Sequence, residues 1–181
     1  NVLRGLSPDY LANGVAATHD CDILVGRPNG GIAILWHKSI SNTSKFVNIS
    51  NTNRACALEI KIGNLCFVLV NMYLPVDNQS KTRVCPEFLD TLDAVELFIQ
   101  QCNGKHIILG GDMNLDVSRR NAHDKYYSDW CDRIDCMYAH NLPGCNIDYT
   151  YNDPAMTCFT CIDHFTVSKH LHMQTESASV C

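Results

Sequence analysis

The sequence lacks a long apolar run. Its longest, Leu65 to Val70, falls far short of the ~18 residues a membrane-spanning helix requires, and Asn1 to Leu11 has no basic stretch leading into an apolar core. Neither a transmembrane span nor a secretory segment is therefore expected. An excess of positive charge is missing as well: fourteen Lys and Arg against nineteen Asp and Glu leave a net charge of −5. No broad electrostatic field draws such a chain to DNA, RNA or anionic lipid, so any nucleic-acid contact has to be local. Internal repeats and low-complexity runs are absent, and so is an initiating methionine, which points to processing or to a fragment. What is present, 181 residues of which 46% are hydrophobic and 18% charged, suits one globular domain over residues 1–181, large enough to bury roughly two-thirds of its unfolded surface.

Cysteine is enriched. Eleven are present, an odd number, below the ~8–10% that marks a disulfide scaffold. Without a secretory segment they read as reduced thiols, and Cys56 and Cys66 sit in apolar runs where cysteine acts as a small hydrophobe. Cys158, Cys161 and His164 have no second Cys-x-x-Cys to join, and Cys131, Cys136 or Cys145 would complete a zinc site only by coincidence of folding. The three lie near a strand whose side chains alternate faces, so they are not expected to share a metal.

Residues 1–25 carry no clear period and read as a loop-rich entry. The turn signal Gly26-Arg27-Pro28-Asn29-Gly30-Gly31 precedes a strand at Ile32 to Trp36, and a second strand is expected at Phe46 to Ile49. Arg54 to Ile62 and Leu65 to Tyr73 form a hairpin around Gly63-Asn64, its second strand buried on both faces. Phe88, Leu92, Val95, Ile99 and Cys102 recur at spacings of four and three, which places a helix at about Pro86 to Gln101. A buried strand at Lys105 to Leu109, a weaker helix at Asp124 to Cys136 and a late strand at Ile162 to Val167 complete the pattern. Strands with intervening helices and one antiparallel hairpin argue for an α/β sandwich with a mixed sheet.

The chemistry is concentrated where apolar strands end in polar groups. Ile107 to Leu109 runs through Gly110-Gly111 into Asp112 and Asn114, which project to the same side if the backbone stays extended. An acid beside an amide at a strand end can take a proton from water or hold a hard cation while the amide orients the attacking oxygen. A turn or helix start capped by Asp or Asn would produce the same residues. In Asn71-Met72-Tyr73-Leu74-Pro75, Tyr73 either donates to a phosphate oxygen or merely packs at a strand end. In Thr160-Cys161-Ile162-Asp163-His164-Phe165, Asp163 and His164 should point to opposite faces.

In this order, GRPNGGIAILW (Gly26 to Trp36), NMYLP (Asn71 to Pro75), ILGGDMN (Ile108 to Asn114), TYND (Thr150 to Asp153) and TCIDHF (Thr160 to Phe165) resemble the endonuclease/exonuclease/phosphatase superfamily, with its deoxyribonuclease-I-like fold. They look most like the endonuclease domain of non-LTR (LINE-type) retrotransposon polyproteins. The resemblance spans Gly26 to Ser168 and implies a two-sheet αββα sandwich. It also implies Mg²⁺-assisted (or Mn²⁺-assisted) hydrolysis of a phosphodiester, with DNA as the substrate and nuclear action if the chain is retrotransposon-derived. Carried over residue by residue, it implies that Tyr73 contacts the scissile phosphate, that Asp112 activates the water and serves as a metal ligand, that Asn114 orients phosphate and nucleophile, and that Asp163 orients a histidine. His164, next to that Asp, is not expected to be this histidine, and Arg27 is expected to be a turn residue.

The departures bear on activity. The family's metal-binding Glu belongs upstream of the aligned region, yet residues 1–25 contain no glutamate, and no Asp precedes His170 or His172 to form the family's terminal Ser-Asp-His motif. The chain is therefore expected to be cut at both ends, inactive by itself and without tight metal binding. Two alternatives stay open: a catalytically dead remnant or binding module, and a phosphoinositide- or sphingomyelin-type phosphoesterase of the same superfamily.

Overall fold

The computed structural model describes residues 7–17, 30–76, 82–141, 149–153 and 158–174. Its centre is a mixed six-stranded sheet in the order β3-β4-β5-β6-β10-β7, formed by β3 (Ser44–Asn48), β4 (Ala55–Ile62), β5 (Leu65–Tyr73), β6 (His106–Asp112), β7 (Cys136–Tyr138) and β10 (Asp163–Ser168). Two ribbons accompany it, β1 (Tyr10–Val15) with β2 (Ile32–His37) and β8 (Tyr151–Asp153) with β9 (Cys158–Thr160). The region expected to be a loop-rich entry thus contains β1. Its polar Asn13 and Gly14 break the alternation that would have betrayed a strand, and pairing with β2 supplies what local pattern does not.

The expected hairpin is present. β4 and β5 pair antiparallel across Gly63-Asn64, and Gly63 takes φ 59° at the first loop position, where a II′ turn calls for glycine. β5 is buried on one face only: Val68, Val70 and Met72 are fully enclosed, while Phe67, Leu69 and Tyr73 are half-covered. The reason is the thin layer opposite, where the β1–β2 ribbon reaches the sheet and Asn71 Nδ2 donates to Ala33 O at 2.9 Å.

β5 and β6 are parallel neighbours, and such a pair needs a crossover, supplied by α1 (Pro86–Gln100). Pro86 sits in its first turn, and Phe88, Leu92 and Val95 face inward at the expected spacing. α2 (Ala122–Arg133) begins two residues before the expected Asp124, because Asp124 is its third residue and reaches back to accept from Asn121 N–H at 2.7 Å. It also ends before Cys136, which belongs to β7. The core is one cluster in which Ala55, Ala57, Val68, Val70, Met72, Ile107 and Leu109 of the sheet meet Phe88, Leu92 and Val95 of α1 and Tyr127 and Trp130 of α2. A short helix, α3 (Lys169–His172), follows β10. Among the described residues no helix is long and apolar enough to cross a membrane.

Candidate active site

Three adjacent strands bring polar side chains to one level. In the parallel β5–β6 pair Tyr73 stands opposite Asp112, and in the antiparallel β6–β10 pair Asp112 stands opposite Asp163. Residues directly opposite in a sheet share a face, so the phenol and the two carboxylates form a row at the end of the sheet. Hydrogen bonds beyond the ladder fix this end: Leu74 N donates to Asp112 O at 3.0 Å and Met113 N to Ile162 O at 2.8 Å. Gly111 makes the close approach possible. Its φ is 135°, and a Cβ there would lie 2.1 Å from Met72 O.

Asn114 does not continue the strand. Its φ of 50° is left-handed, its N–H donates to Asp112 Oδ1 at 3.0 Å and its Nδ2 donates to Leu74 O at 2.8 Å. The same-side projection expected from an extended backbone is therefore replaced by an Asx-type turn, in which Asp112 caps Asn114 and Asn114 locks the loop to β5. Burial raises the Asp112 carboxyl above its ordinary range, the Asn114 N–H opposes this, and the charge of Asp163 adds to it. Asp163 is exposed.

Backbone donors around Asp163 are captured by Thr150, which opens the TYND motif, and by Asp116, which no motif singled out. Thr150 Oγ1 accepts from both Ile162 N and Asp163 N at 3.0 Å, and Thr150 N donates to Thr160 O at 3.0 Å. Asp116 Oδ2 accepts from Cys161 N at 3.3 Å, while its Oδ1 accepts from Ser118 N at 3.0 Å and from the Ser118 hydroxyl. Burial works against the Asp116 charge, but these bonds and Arg119 outweigh it and hold the carboxyl below its usual range. On the other flank the buried Arg54 lies 5.2 Å from the centre of the Tyr73 ring, donates through Nη1 to Tyr73 O at 3.4 Å and through Nε to Glu87 Oε1 at 2.7 Å. An arginine opening the apolar run Ala55-Cys56-Ala57 was the available signal, since a buried guanidinium needs partners.

His164 points inward, opposite to Asp163. It is fully buried, its Nε2–H donates to Leu115 O at 2.8 Å, and burial pushes its pKa down. His170 stacks on His106 with centroids 5.6 Å apart. His106 opens β6, so this pair lies about 20 Å along the strand from Asp112. Glu59 is bound to Lys105 at 2.8 Å toward that same far end, and Glu87 is committed to Arg54. His164, His106 and His170 are therefore each engaged away from the Asp112 carboxylate. Cys161 Sγ lies 3.9 Å from Asp163 O whereas His164 is committed to Leu115 O, the Cys158 side chain and Gly26 to Asn29 lie outside the described residues, and among the described residues no group of three His, Cys, Asp or Glu could hold a metal.

What the row can do follows from its charges. Asp112 and Asp163 are neighbouring carboxylates with no ion-pair partner among the described residues, and one is partly desolvated. Two oxygen ligands of this kind fit a magnesium ion, which is commonly held by one or two carboxylates with water and substrate phosphate in its other positions.

Comparison with known proteins bears on the family and the fold. A family model described as the endonuclease/exonuclease/phosphatase family matches residues 3–179. The endonuclease domain of TRAS1, a telomere-specific non-LTR retrotransposon, superposes with a TM-score of 0.62 at 12% identity, over 90% of this chain and 68% of that one. The AP endonuclease LMAP from Leishmania major gives 0.69 at 11% identity, over 92% and 64%. A family protein from Leptotrichia buccalis gives 0.63 at 13% identity, over 96% and 64%. The chain thus spans about two thirds of the length of these structures, and identities this low establish the fold alone. A search of curated proteins finds no match.

Proposed function

Because this chain belongs to the endonuclease/exonuclease/phosphatase family, we propose that the protein containing it hydrolyses a phosphodiester of DNA at the row formed by Tyr73, Asp112 and Asp163, as the nicking endonuclease domain of a retrotransposon-type protein. The observation that carries this reading is the register Tyr73–Asp112–Asp163 across β5, β6 and β10, which gathers a hydrogen-bond donor and two carboxylates at one sheet end.

Each residue has a part that follows from its surroundings. The Tyr73 phenol, backed by the Arg54 guanidinium, donates to a non-bridging phosphate oxygen. Asp112, half-buried at the end of β6 opposite Tyr73, accepts the proton of the attacking water. Asn114 holds that carboxylate through its N–H and anchors the loop on Leu74 O, leaving its second amide hydrogen and its side-chain oxygen for the phosphate and the water. Asp163 and Asp112 are the residues that would hold a magnesium ion at this sheet end. A bound Mg²⁺ would supply charge neutralisation at the phosphoryl oxygens and a more acidic water.

The test is nicking of supercoiled plasmid in Mg²⁺ by a protein that contains this chain. Asp112→Ala is expected to lower the rate by at least ~10²–10³. An unchanged rate would remove Asp112 from the reaction and with it this reading of the row.

A further inference from the structure

The residues that hold the Asp163 backbone are flanked in the chain by a pair of exposed aromatic rings. Tyr149 and Phe159 are 47% and 58% exposed, and their centroids lie 4.8 Å apart with planes inclined by 60°. Both flank the bonds that hold Asp163. Tyr149 adjoins Thr150, whose hydroxyl accepts from Asp163 N, and Phe159 adjoins Thr160, whose carbonyl accepts from Thr150 N. Phe159 is four residues from Asp163, a reach of at most ~14 Å. Tyr151, opposite Thr160 in the ribbon, faces away from Phe159, which stands opposite Asn152, so the platform consists of two rings.

The occupant follows from charge and shape. A chain of net charge −5 that presents Asp112 and Asp163 at its site has little ionic attraction for a phosphate backbone, so its hold on a polynucleotide must come largely from uncharged contacts. Tilted aromatic rings in water offer such a contact to the flat face of a nucleobase. In a duplex those faces are covered by neighbouring bases, and only edges and backbone are presented.

We propose that Tyr149 and Phe159 form a stacking platform for an unpaired nucleobase on the strand whose phosphodiester is presented to Asp112 and Asp163. The consequence is a preference for single-stranded or locally opened DNA. This rests on the proposed function, of which it names the substrate form.

Fluorescence anisotropy without divalent cations tests it, using a labelled single-stranded deoxyoligonucleotide, the same strand with abasic spacers at its central positions, and the matching duplex. The 181-residue chain is expected to bind the base-bearing single strand more tightly than either alternative. Phe159→Leu and Tyr149→Leu keep apolar volume but remove the π face. Each is expected to weaken that binding about 5-fold to 100-fold while leaving the abasic strand unaffected. Equal affinity of the unsubstituted protein for base-bearing and abasic strands, or no loss in a folded leucine variant, overturns the platform and leaves the phosphodiester reading standing. Failure of the unsubstituted protein to bind any of the three overturns both.

Discussion

Thr150→Val probes the support of the site without touching its chemistry. Valine matches threonine in shape, so packing is retained and only the hydroxyl is lost. That hydroxyl accepts two successive backbone N–H groups, Ile162 and Asp163, each at 3.0 Å. Removing an acceptor strands its donors, and a buried unsatisfied donor costs ~1–3 kcal/mol. Ile162 is half-buried and Asp163 exposed, so water can take over at Asp163 but less readily at Ile162. The net loss should be close to a single stranded donor, ~1–3 kcal/mol. In a domain of this size each kcal/mol moves the melting midpoint by about 2–4 °C, so Thr150→Val should melt roughly 2–12 °C lower. Urea unfolding at neutral pH gives the free energy directly, and hydrogen exchange should show selective loss of protection at the Ile162 amide. A stability within ~0.5 kcal/mol of the parent, the range of inconsequential surface changes, together with unchanged exchange at Ile162, would refute the reasoning.

Asp112→Asn should alter the pH dependence of stability. Because the Asp112 carboxyl is raised, chiefly by burial and further by Asp163, the stability it contributes is full below its unfolded value of about 3.9 and is lost as pH rises through the raised folded value. The variant should therefore gain on the parent between mild acid and neutrality, and parallel urea-midpoint curves over that range would contradict this. Arg54→Met retains the buried stem but loses the bonds to Glu87 Oε1 and Tyr73 O. With Glu87 able to return to water, the cost should be ~1–2 kcal/mol, accompanied by shifted Tyr73 ring resonances in NMR, and an unperturbed ring would show that Arg54 does not set its position. Gly111→Ala places a Cβ 2.1 Å from Met72 O at a φ of 135°. This should cost more than the ~1–3 kcal/mol of an unfavourable backbone conformation alone, and circular dichroism showing a native-like melt would contradict it.

Much of the fold was legible because its elements are periodic. Phe88, Leu92 and Val95 announced α1, and two apolar runs separated by Gly63-Asn64 announced the β4–β5 hairpin. β1, β7, β8 and β9 carry no such signal. The last three have three residues each, too few for alternation to show, and β1 exists through its pairing with β2. At the site, Tyr73, Asp112 and Asp163 stood out as polar residues at the ends of apolar runs, and the register that aligns them came from the sheet. The turn at Asn114 was hidden because left-handed backbone in a non-glycine residue is fixed by tertiary bonds, here to Asp112 and Leu74. Thr150 was in view as the start of the TYND motif but its two backbone partners were not, and Asp116 and Arg54 escaped altogether: the partners of all three lie well along the chain, from Ile162 for Thr150 to Cys161 for Asp116, and spacing in sequence does not reveal them.

The row of Tyr73, Asp112 and Asp163 is tested most directly by titrating Mn²⁺ into the isotope-labelled chain and following paramagnetic broadening of its amide resonances. Selective broadening at Asp112, Met113, Asn114 and Asp163, weak in affinity, relieved by excess Mg²⁺ and absent from Asp112→Ala, is the predicted result. Broadening centred on His106 and His170 at the far end of the sheet, or an identical pattern in Asp112→Ala, would contradict the assignment of this edge as the site where a phosphodiester is cut.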